Sequence, residues 1–532
     1  MHKDSLYTDE IWNRFSEKFG SSAEDFELKT YPQFDPYFNF PENKIVLQQL
    51  LKDEKLLGVA QHPFLPFVKI LTKTPRYRWQ EDDGEYMLET KIRPIAFASH
   101  FDTYIYAYYS FALTLKYQEY IRKHEFQDCV LAYRSDLDGK CNIQFAKEVF
   151  DAIKNKIKNK KSCSVIALDI TGYFDNIDHG KLKEKWCKIL NLPELPVDQY
   201  KVFRSLTNYA YVNKDSILRH FNIDLKQLKK EDIRWQTLLD LIPDEIAGPT
   251  FKQKFKLLKE RKLIMTNMPK KHKGILQHKG IPQGSAMSAL LSNIYLIDFD
   301  KWLWDLSQKL DFTYKRYCDD LIVICDTDLV DEINRKILAE ISNYKLTIQE
   351  KKTELIEFLP NSKGKIRAFN RREIIKYGSK INASNEQKFY KNLQYLGFEF
   401  NGQNVYIRPG SLSRYFRKMK GRIIKTVMMS YSDKSGFNKI KRRQIYFRYS
   451  HFGTRNFITY AKNAAKEFYK NGEGLLRSGM NSSSIKRQIA SHVDIIEKEI
   501  RSKSNQRFDH KEYVRKKKKE VGKRQKYIPL KK

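Results

Sequence analysis

The sequence predicts an α+β fold in which an antiparallel sheet packs on helices and is followed by an all-helical, basic C-terminal region. Strand-like stretches flank the turn sequence Asp82-Asp83-Gly84 and predict a β-hairpin. Apolar residues at every fourth position from 145 to 157 predict a helix, and the short apolar run 164–170 after it has the composition of a buried strand. Beyond about residue 410 the pattern is helical and rich in Lys and Arg.

Charge and composition restrict the class of partner. The 532 residues carry 99 Lys and Arg against 64 Asp and Glu, a formal net charge of +35, and 13% of the residues are aromatic. Disordered basic tails lack aromatic residues, so most of the chain is expected to fold. A cationic surface of this strength attracts phosphate backbones, which makes nucleic acid the first expected partner and an anionic membrane surface the second.

Membrane insertion and extracellular chemistry are both disfavoured. No stretch approaches the roughly 20 apolar residues of a membrane-spanning helix, and the first residues lack the apolar core of a signal peptide. The six cysteines form no CxxC pair and none lies near a histidine at the spacing of a zinc site, so they are interpreted as reduced thiols. We expect a cytoplasmic protein with no membrane partner.

Shifts in composition divide the chain into five parts. They are an N-terminal extension (1–60), residues 61–165, residues 166–400 with a helical basic insertion at about 197–275, a helical domain (401–500) and a basic tail (501–532). Residues 251–280 hold ten Lys/Arg and one acid, and the last 32 residues hold 14 Lys/Arg and three acids. A charge run is often a solvated face, but at this density a surface that contacts phosphates is an equally good interpretation.

Three carboxylates are candidates for metal binding. Asp319 and Asp320 are adjacent in a polar turn between two short strands, and Asp169 ends the buried strand. Neighbouring ionised carboxylates repel each other and are costly to bury unless a divalent cation neutralises them. Hard oxygen ligands favour Mg²⁺ or Mn²⁺, and two such ions can activate a 3′-hydroxyl nucleophile and neutralise a triphosphate. The alternative for Asp319 and Asp320 alone is an ordinary surface turn.

These carboxylates lie in segments that resemble the motifs of reverse transcriptases of the retron and group II intron type. Residues 168–179 (LDITGYFDNIDH) resemble motif A, residues 281–288 (IPQGSAMS) motif B and residues 317–320 (YCDD) motif C. Residues 346–353 are similar to motif D and residues 395–400 (YLGFEF) to motif E. The five motifs follow the family order over about residues 90–400. The resemblance implies a right-hand polymerase with fingers (61–165), palm (166–400) and a helical thumb (401–500).

The resemblance also implies roles for individual residues. The catalytic residues would be Asp169, Asp319 and Asp320, which would hold two Mg²⁺ ions, or Mn²⁺, with Ile170 as a further metal-binding position. The dNTP-binding residues would be Lys91, Arg93, Phe174, Gln283, Gly284 and Lys352, and the primer- and template-binding residues Tyr317, Gly397, Arg414, Arg417 and Lys418. Phe174 would be the steric gate that rejects a 2′-hydroxyl. The plainer alternatives are a core Phe, solvated basic residues on a hairpin, a surface Lys and a loop Gly.

Features outside the motifs indicate a subclass. No integrase, RNase H or Cys/His endonuclease pattern follows the palm. The insertion between motifs A and B, residues 93–100 (RPIAFASH) and the basic C-terminal half look like bacterial defence-associated reverse transcriptases of the abortive-infection and unknown-group class, with type 9 or type 2 systems the most similar. This resemblance implies anti-phage defence, a structured non-coding RNA as template and scaffold, dNTP substrates, a cDNA product and a homo-oligomer.

Two other functions stay open at this point. The first is a template-independent or protein-primed polymerase that makes a homopolymer or simple repeat, with Tyr513 and Tyr527 in the basic tail as candidate priming hydroxyls. The second is a non-catalytic RNA-binding scaffold that retains the palm. The three carboxylates argue against the second, because an inactive site has no reason to keep mutually repelling acids.

Overall fold

The computed structural model describes residues 6–20, 33–52, 57–80, 84–224, 237–267, 270–272, 275–431 and 440–506. The fold is α+β, as predicted, and it divides into two units. The first unit comprises residues 1–136, 167–323 and 331–353, and the second comprises residues 137–166, 324–330 and 354–532. In the part of the chain that the structure describes, no helix has an apolar stretch long enough to cross a bilayer.

Among the described residues, the first unit contains nine strands, in whole or in part, and most of the helices. The strands are β1 (Phe67–Gln80), β2 (Glu85–Phe97), β3 (Cys163–Asp169, by its last residues), β4 (Ala210–Asn213), β5 (Ile264–Thr266), β6 (Lys270–His272), β7 (Ile275–Gln277), β8 (Thr313–Tyr317) and β9 (Asp320–Cys325). The helices are Asp9–Gly20, Phe40–Lys52, Leu57–Gln61, His100–Lys123, Tyr173–Asn176, His179–Leu190, Val197–Thr207, Lys214–His220, Asp244–Ala247, Phe251–Glu260, Ser288–Tyr295, Ile297–Leu310 and Val330–Asn343.

The predicted hairpin forms one side of a four-stranded sheet with the order β2-β1-β4-β5. β1 and β2 pair antiparallel from Val68 opposite Phe97 to Gln80 opposite Glu85, which confirms the hairpin, while its turn residues 81–83 lie outside the described part. β4 pairs parallel with β1 and antiparallel with β5. Because β4 and β5 belong to the insertion 197–275, the prediction that this insertion is helical is wrong for its strand segments.

One apolar core joins the insertion to the hairpin sheet. It includes Val68 of β1, Val212 of β4 and Leu258 of the helix Phe251–Glu260, all of them buried. The strands β4 and β5 have four and three residues, so their own sequences carry little strand signal. Pairing with β1 therefore decides the conformation of β4, and pairing with β4 decides that of β5.

The N-terminal extension is attached to the long helix His100–Lys123. The Asp35 carboxylate accepts hydrogen bonds from the backbone N–H groups of His100 (2.6 Å) and Phe101 (2.8 Å) at the start of that helix. Burial raises the pKa of the Asp35 carboxyl to about 6, although these hydrogen bonds oppose the shift. Along the same helix, Tyr108 packs against the rings of Trp12 and Phe15. Aromatic packing and a helix cap thus hold the extension to the first unit.

A fully buried ion pair lies between β8 and the helix Ile297–Leu310. The guanidinium of Arg316 donates to both carboxylate oxygens of Asp300, through Nε at 2.8 Å and through Nη2, and neither side chain is exposed to solvent. The Tyr314 hydroxyl donates to the same carboxylate at 2.8 Å. Taking two charges out of water is costly unless the geometry is bidentate and the remaining polar atoms are satisfied, and this pair meets both conditions.

In its described part, the second unit adds seven strands and the basic helices. The strands are β10 (Glu354–Pro360), β11 (Ile366–Asn370), β12 (Leu393–Tyr395), β13 (Phe398–Phe400), β14 (Val405–Ile407), β15 (Phe468–Lys470) and β16 (Leu476–Ser478). The helices are Asn142–Lys160, Arg371–Tyr377, Pro409–Ser430, Arg442–Tyr449, Phe457–Ala465, Ser483–Ile489 and 492–506. The C-terminal part is helical, as predicted, except for the antiparallel hairpin β15–β16, which the all-helical prediction missed.

We expect Asp300→Asn to lower the free energy of unfolding by about 3–5 kcal/mol, because Arg316 would stay buried without its counter-charge. Urea unfolding measures the change. The matched control is Asp305→Asn on the same helix, which breaks an exposed pair with Lys301 and should change stability by less than about 0.5 kcal/mol. Equal decreases in the free energy of unfolding would show that the buried pair stabilises the protein no more than the exposed pair does.

Candidate active site

The end of β3 brings Asp169 next to the motif C turn, which holds Asp319 and Asp320. Asp169 ends β3, and Asp319 lies in the turn between β8 and β9. The backbone N–H of Ile170 donates to the Asp319 carbonyl oxygen at 3.1 Å, so the residue after Asp169 is hydrogen-bonded to the turn. Asp320 begins β9 and is exposed. The sequence prediction that Asp169 adjoins this turn agrees with the backbone geometry.

The motif C turn contains a residue in a rarely occupied backbone conformation. Cys318 has φ +59°, in the left-handed region that residues with a Cβ seldom adopt. Its side chain is 4% exposed, and burial raises the pKa of the thiol to about 12, so it stays protonated at neutral pH. Its side chain is hydrogen-bonded to that of Tyr133, whose own φ is +60°. Two residues in contact with each other, Cys318 of the turn and Tyr133, therefore both have a left-handed backbone conformation.

The buried pair described above also holds this turn. Nη1 of Arg316 donates to the Cys318 carbonyl oxygen at 3.0 Å and to Oδ1 of Asn293 at 3.2 Å. Asn293 in turn donates to the carbonyl oxygen of Ala132 at 2.8 Å, one residue before Tyr133. These bonds fix the backbone on both sides of the Tyr133–Cys318 contact. Directional hydrogen bonds of a buried guanidinium thus support a conformation that apolar packing alone would not specify.

The donor atoms suit a divalent cation, but the predicted cluster of three carboxylates is not formed. No group of three His, Cys, Asp or Glu side chains in the described residues is close enough to hold a metal ion. Instead, the Lys352 ammonium lies 2.9 and 3.1 Å from the two carboxylate oxygens of Asp169. Three uncompensated carboxylates repel one another, and a nearby ammonium is the cation that the chain itself supplies. The oxygen donors and this substitute cation fit the chemistry of a Mg²⁺ site.

Ile170, the further metal-binding position that the resemblance implies, is paired with the motif D segment. It forms an isolated antiparallel bridge with Ile348, in which Thr171 N–H donates to the Thr347 carbonyl and Gln349 N–H donates to the Asp169 carbonyl. Neither hydrogen bond uses the carbonyl of Ile170. The same bridge brings the motif D segment, with Lys352, beside motif A.

Motif B is packed directly against the hairpin strand β2. The N–H of Ala96 donates to the Gln283 carbonyl at 2.8 Å. Gly284 has φ +122°, and a Cβ there would lie 2.7 Å from the Ala96 carbonyl oxygen and 2.9 Å from Cγ2 of Ile95. Only glycine allows this approach. The sequence prediction assigned Gly284 to dNTP binding. The structure gives a further reason for glycine at this position, because a side chain would clash with β2.

Other predicted dNTP-binding residues lie on β2 and within motif A. Lys91 and Arg93 stand opposite Thr74 and Thr72 on β1 and, being two residues apart on one strand, share a face of the sheet. Phe174 lies in the short helix Tyr173–Asn176, and its carbonyl accepts from the N–H of Ile281 in motif B at 3.0 Å. Phe174 is half-buried, with its ring 5.8 Å from that of Tyr173.

The primer- and template-binding candidates fall in both units. Tyr317 ends β8, with its ring 6.5 Å from the ring of Tyr133. Gly397 lies in the turn between β12 and β13, where its φ of +91° favours glycine. Arg414, Arg417 and Lys418 are exposed on the helix Pro409–Ser430, whose buried face includes Tyr415 and Met419. The candidate priming residues Tyr513 and Tyr527 lie outside the described residues.

Sequence reasoning missed the residues that support the catalytic turn. Arg316 and Asp300 were not singled out, although a charged residue at an inward position of a strand, two after Tyr314, is a signal for a buried pair. Asn293 and Tyr133 had no signal of their own, because only the tertiary structure brings their segments to the turn.

Part of the chain matches a known family. Residues 243–400 match the family model described as "Reverse transcriptase (RNA-dependent DNA polymerase)". This part of the chain is therefore similar to reverse transcriptase domains. The matched residues include Gln283, Gly284, Asp319, Asp320 and Lys352, whereas Asp169 precedes them.

Solved structures offer more distant comparisons. The chain is similar to telomerase from Candida albicans in complex with a TWJ fragment of telomeric RNA, at 12% identity and TM-score 0.37, covering 87% of this chain and 60% of that one. It is also similar to apo telomerase from Candida tropicalis truncated from the C-terminal domain, at 11% identity and TM-score 0.33, covering 68% and 60%. The chain thus spans about 60% of the length of these telomerases. No curated protein matches the chain.

We expect Gly284→Ala to destabilise the first unit by about 2–4 kcal/mol, because the added Cβ would clash with the Ala96 backbone and the residue would keep a strained φ. Urea unfolding measures the change. Gly364→Ala is the control: its φ is +69°, but no atom lies within 4 Å of the added Cβ, so it bears the strain of about 1 kcal/mol without the clash. A loss no larger than that of the control would contradict the contact with β2.

Proposed function

We propose that the chain is an RNA-directed DNA polymerase that makes cDNA by nucleotidyl transfer. The observation that carries the proposal is the hydrogen bond between Ile170 and the Asp319 carbonyl, which sets Asp169 beside the motif C turn, next to a matched reverse transcriptase domain. Asp169, Asp319 and Asp320, with the Ile170 carbonyl, would hold the two Mg²⁺ ions. The ions would supply the acidification of the 3′-hydroxyl and the neutralisation of the triphosphate.

The chain's own residues would orient the nucleotide. Lys91 and Arg93, on one face of β2, are proposed to bind the triphosphate, and the Gln283–Gly284 backbone, fixed against the same strand, to support the templating pair. Phe174 is proposed to close the space beside the sugar. Lys352 is proposed to leave Asp169 when the nucleotide enters and to donate a proton to the departing pyrophosphate.

The finer role that we propose is bacterial anti-phage defence. Its support is the sequence resemblance to defence-associated reverse transcriptases, together with a net charge of +35, which exceeds the need of a catalytic cleft and suits a structured non-coding RNA. In this proposal the RNA is both template and scaffold, and the protein works in the cytoplasm as a homo-oligomer.

We expect the double variant Asp319→Asn, Asp320→Asn to lose DNA synthesis by about 10³-fold or more, because the metal-binding carboxylates supply several kcal/mol of transition-state stabilisation. The measurement is incorporation of labelled dNTPs by the protein purified with its bound RNA in Mg²⁺. Asp305→Asn, an exposed carboxylate on the helix Ile297–Leu310, is the control and should keep full activity. Synthesis that persists in the double variant would refute the proposal.

The same preparation separates the two alternative functions. A template-independent polymerase would continue synthesis after nuclease removal of the bound RNA, and its product would be a homopolymer or simple repeat. A non-catalytic scaffold would make no DNA, and phage protection in cells would survive the double variant. The proposed function requires that DNA synthesis is lost when the bound RNA is removed and that phage protection is lost when the two carboxylates are replaced.

We expect Phe174→Val to raise incorporation of ribonucleotides relative to deoxyribonucleotides by about tenfold or more, because the smaller side chain leaves room for a 2′-hydroxyl. Competition between labelled dNTP and rNTP measures the ratio. Tyr173→Phe, which keeps a ring at the adjacent position, is the control and should leave the ratio unchanged. An unchanged ratio of rNTP to dNTP incorporation in Phe174→Val would show that Phe174 is a core residue and not a steric gate.

A further inference from the structure

A cavity of about 620 Å³ in the first unit lies apart from the catalytic carboxylates. Its walls are the helices His179–Leu190 and Val197–Thr207 and the segment 276–279, and none of Asp169, Asp319 and Asp320 lines it. A volume of this size is typical of ligand sites. The site described above therefore does not account for this cavity.

The cavity wall carries more positive than negative charge. Lys183, Arg204, Lys279 and Lys345 line it against a single acid, Asp178, which is paired with Lys345. Lys279 donates to the side-chain oxygen of Asn176 at 2.9 Å, a neutral partner. Among the described residues, no ion pair involves Lys183, Arg204 or Lys279. Three cations on three different wall segments thus face the cavity without a carboxylate partner, which suits an anionic ligand.

Aromatic rings lie beside these cations. Tyr200 is 41% exposed, and its ring lies nearly parallel to that of the buried Phe203, with the centroids 6.2 Å apart. The Lys183 ammonium lies 5.1 Å from the centroid of the Tyr200 ring. A cation next to an exposed aromatic ring is the combination that binds the phosphate and base of an unpaired nucleotide.

The charge continues along the chain beyond the cavity. Residues 251–280, which include the 276–279 wall, hold ten Lys/Arg and one acid. A mononucleotide would contact only the cations inside the cavity, whereas a nucleic-acid strand would contact these cations and the Lys and Arg residues beyond the cavity. The extended charge favours a polyanion over a single nucleotide.

The cavity wall is continuous with the two motifs that surround the nucleotide position. Asp178 and Lys279 form an antiparallel bridge, and the N–H of Gly280 donates to the Ile177 carbonyl at 2.8 Å. Residues 176–179 are the end of motif A, and residues 276–280 lead directly into motif B. A ligand in the cavity would therefore contact the segments that position Phe174 and Gln283.

We propose that this cavity binds a segment of single-stranded nucleic acid, with Lys183, Arg204 and Lys279 on the phosphates and Tyr200 stacked on a base. The inference rests on the proposed function only for the origin of the strand, which would be the bound RNA or the DNA product. Binding itself follows from the charge and the rings of the cavity.

The test uses the full-length chain freed of nucleic acid, without Mg²⁺ or dNTPs, so that a failure of the proposed reaction does not affect it. Anisotropy titrations with a short fluorescein-labelled single-stranded RNA over a series of salt concentrations give the salt dependence of affinity. For Lys183→Glu, Arg204→Glu, we expect the slope of log K against log salt to fall by about 1.4, because each lost phosphate contact contributes about 0.7. The control with equal charge change is Lys309→Glu, Arg335→Glu, on exposed helix positions away from the cavity, and it should keep the slope.

A second readout locates the strand. An RNA carrying a photoreactive thiouridine should crosslink to the peptide that contains residues 197–208. Tyr200→Ala should weaken binding by about 5- to 150-fold and Tyr200→Phe should restore it. The same oligonucleotide made as DNA distinguishes the sources: preference for RNA assigns the site to the bound RNA, and equal binding also admits the DNA product.

Three outcomes would overturn the inference. The first is an unchanged slope, or an equal fall in the Lys309→Glu, Arg335→Glu control. The second is a crosslink that maps only elsewhere in the chain. The third is displacement of the crosslinked strand by ATP together with an unchanged slope, which would make the cavity a mononucleotide site.

Discussion

The catalytic turn depends on the buried pair of Arg316 and Asp300. The pair is bidentate and fully buried, and a third atom of the guanidinium donates to the Cys318 carbonyl. A turn with a cysteine in the left-handed region would relax if only apolar contacts surrounded it, because those contacts have no direction. Burying the ion pair has an unfavourable desolvation free energy, but the pair defines the position of the backbone that carries Asp319.

A second constraint joins the motifs to the hairpin. Gly284 lies against the backbone of Ala96, Ile281 is hydrogen-bonded to Phe174, and residues 177–179 pair with 278–280. These contacts connect β2, motif A and motif B without any side chain of the three carboxylates. The nucleotide-binding residues that we propose on these segments therefore share one backbone framework, and the cavity beside Tyr200 is built from the same segments.

Patterns that are local in sequence predicted their elements well. The hairpin β1–β2 follows from a turn sequence between strand-forming residues, and β3 follows from an apolar run after a helical stripe. The insertion was predicted less well, since β4 and β5 are short and pair with partners that are distant in sequence. The hairpin β15–β16 was missed although its strands are close in sequence, because each has only three residues, too few for an alternation that distinguishes a strand from a loop.

The sequence by itself determined the α+β class, the order of the motifs and the three carboxylates as candidates, because each depends on residue types at short spacings. Only the tertiary structure decided three contacts. Arg316 and Asp300 form the buried pair that holds the turn, and Gly284 leaves room for the backbone of Ala96. Lys352 forms an ion pair with the Asp169 carboxylate. These contacts join segments far apart in the chain, and the free energy of each depends on burial and distance, which a linear pattern does not contain.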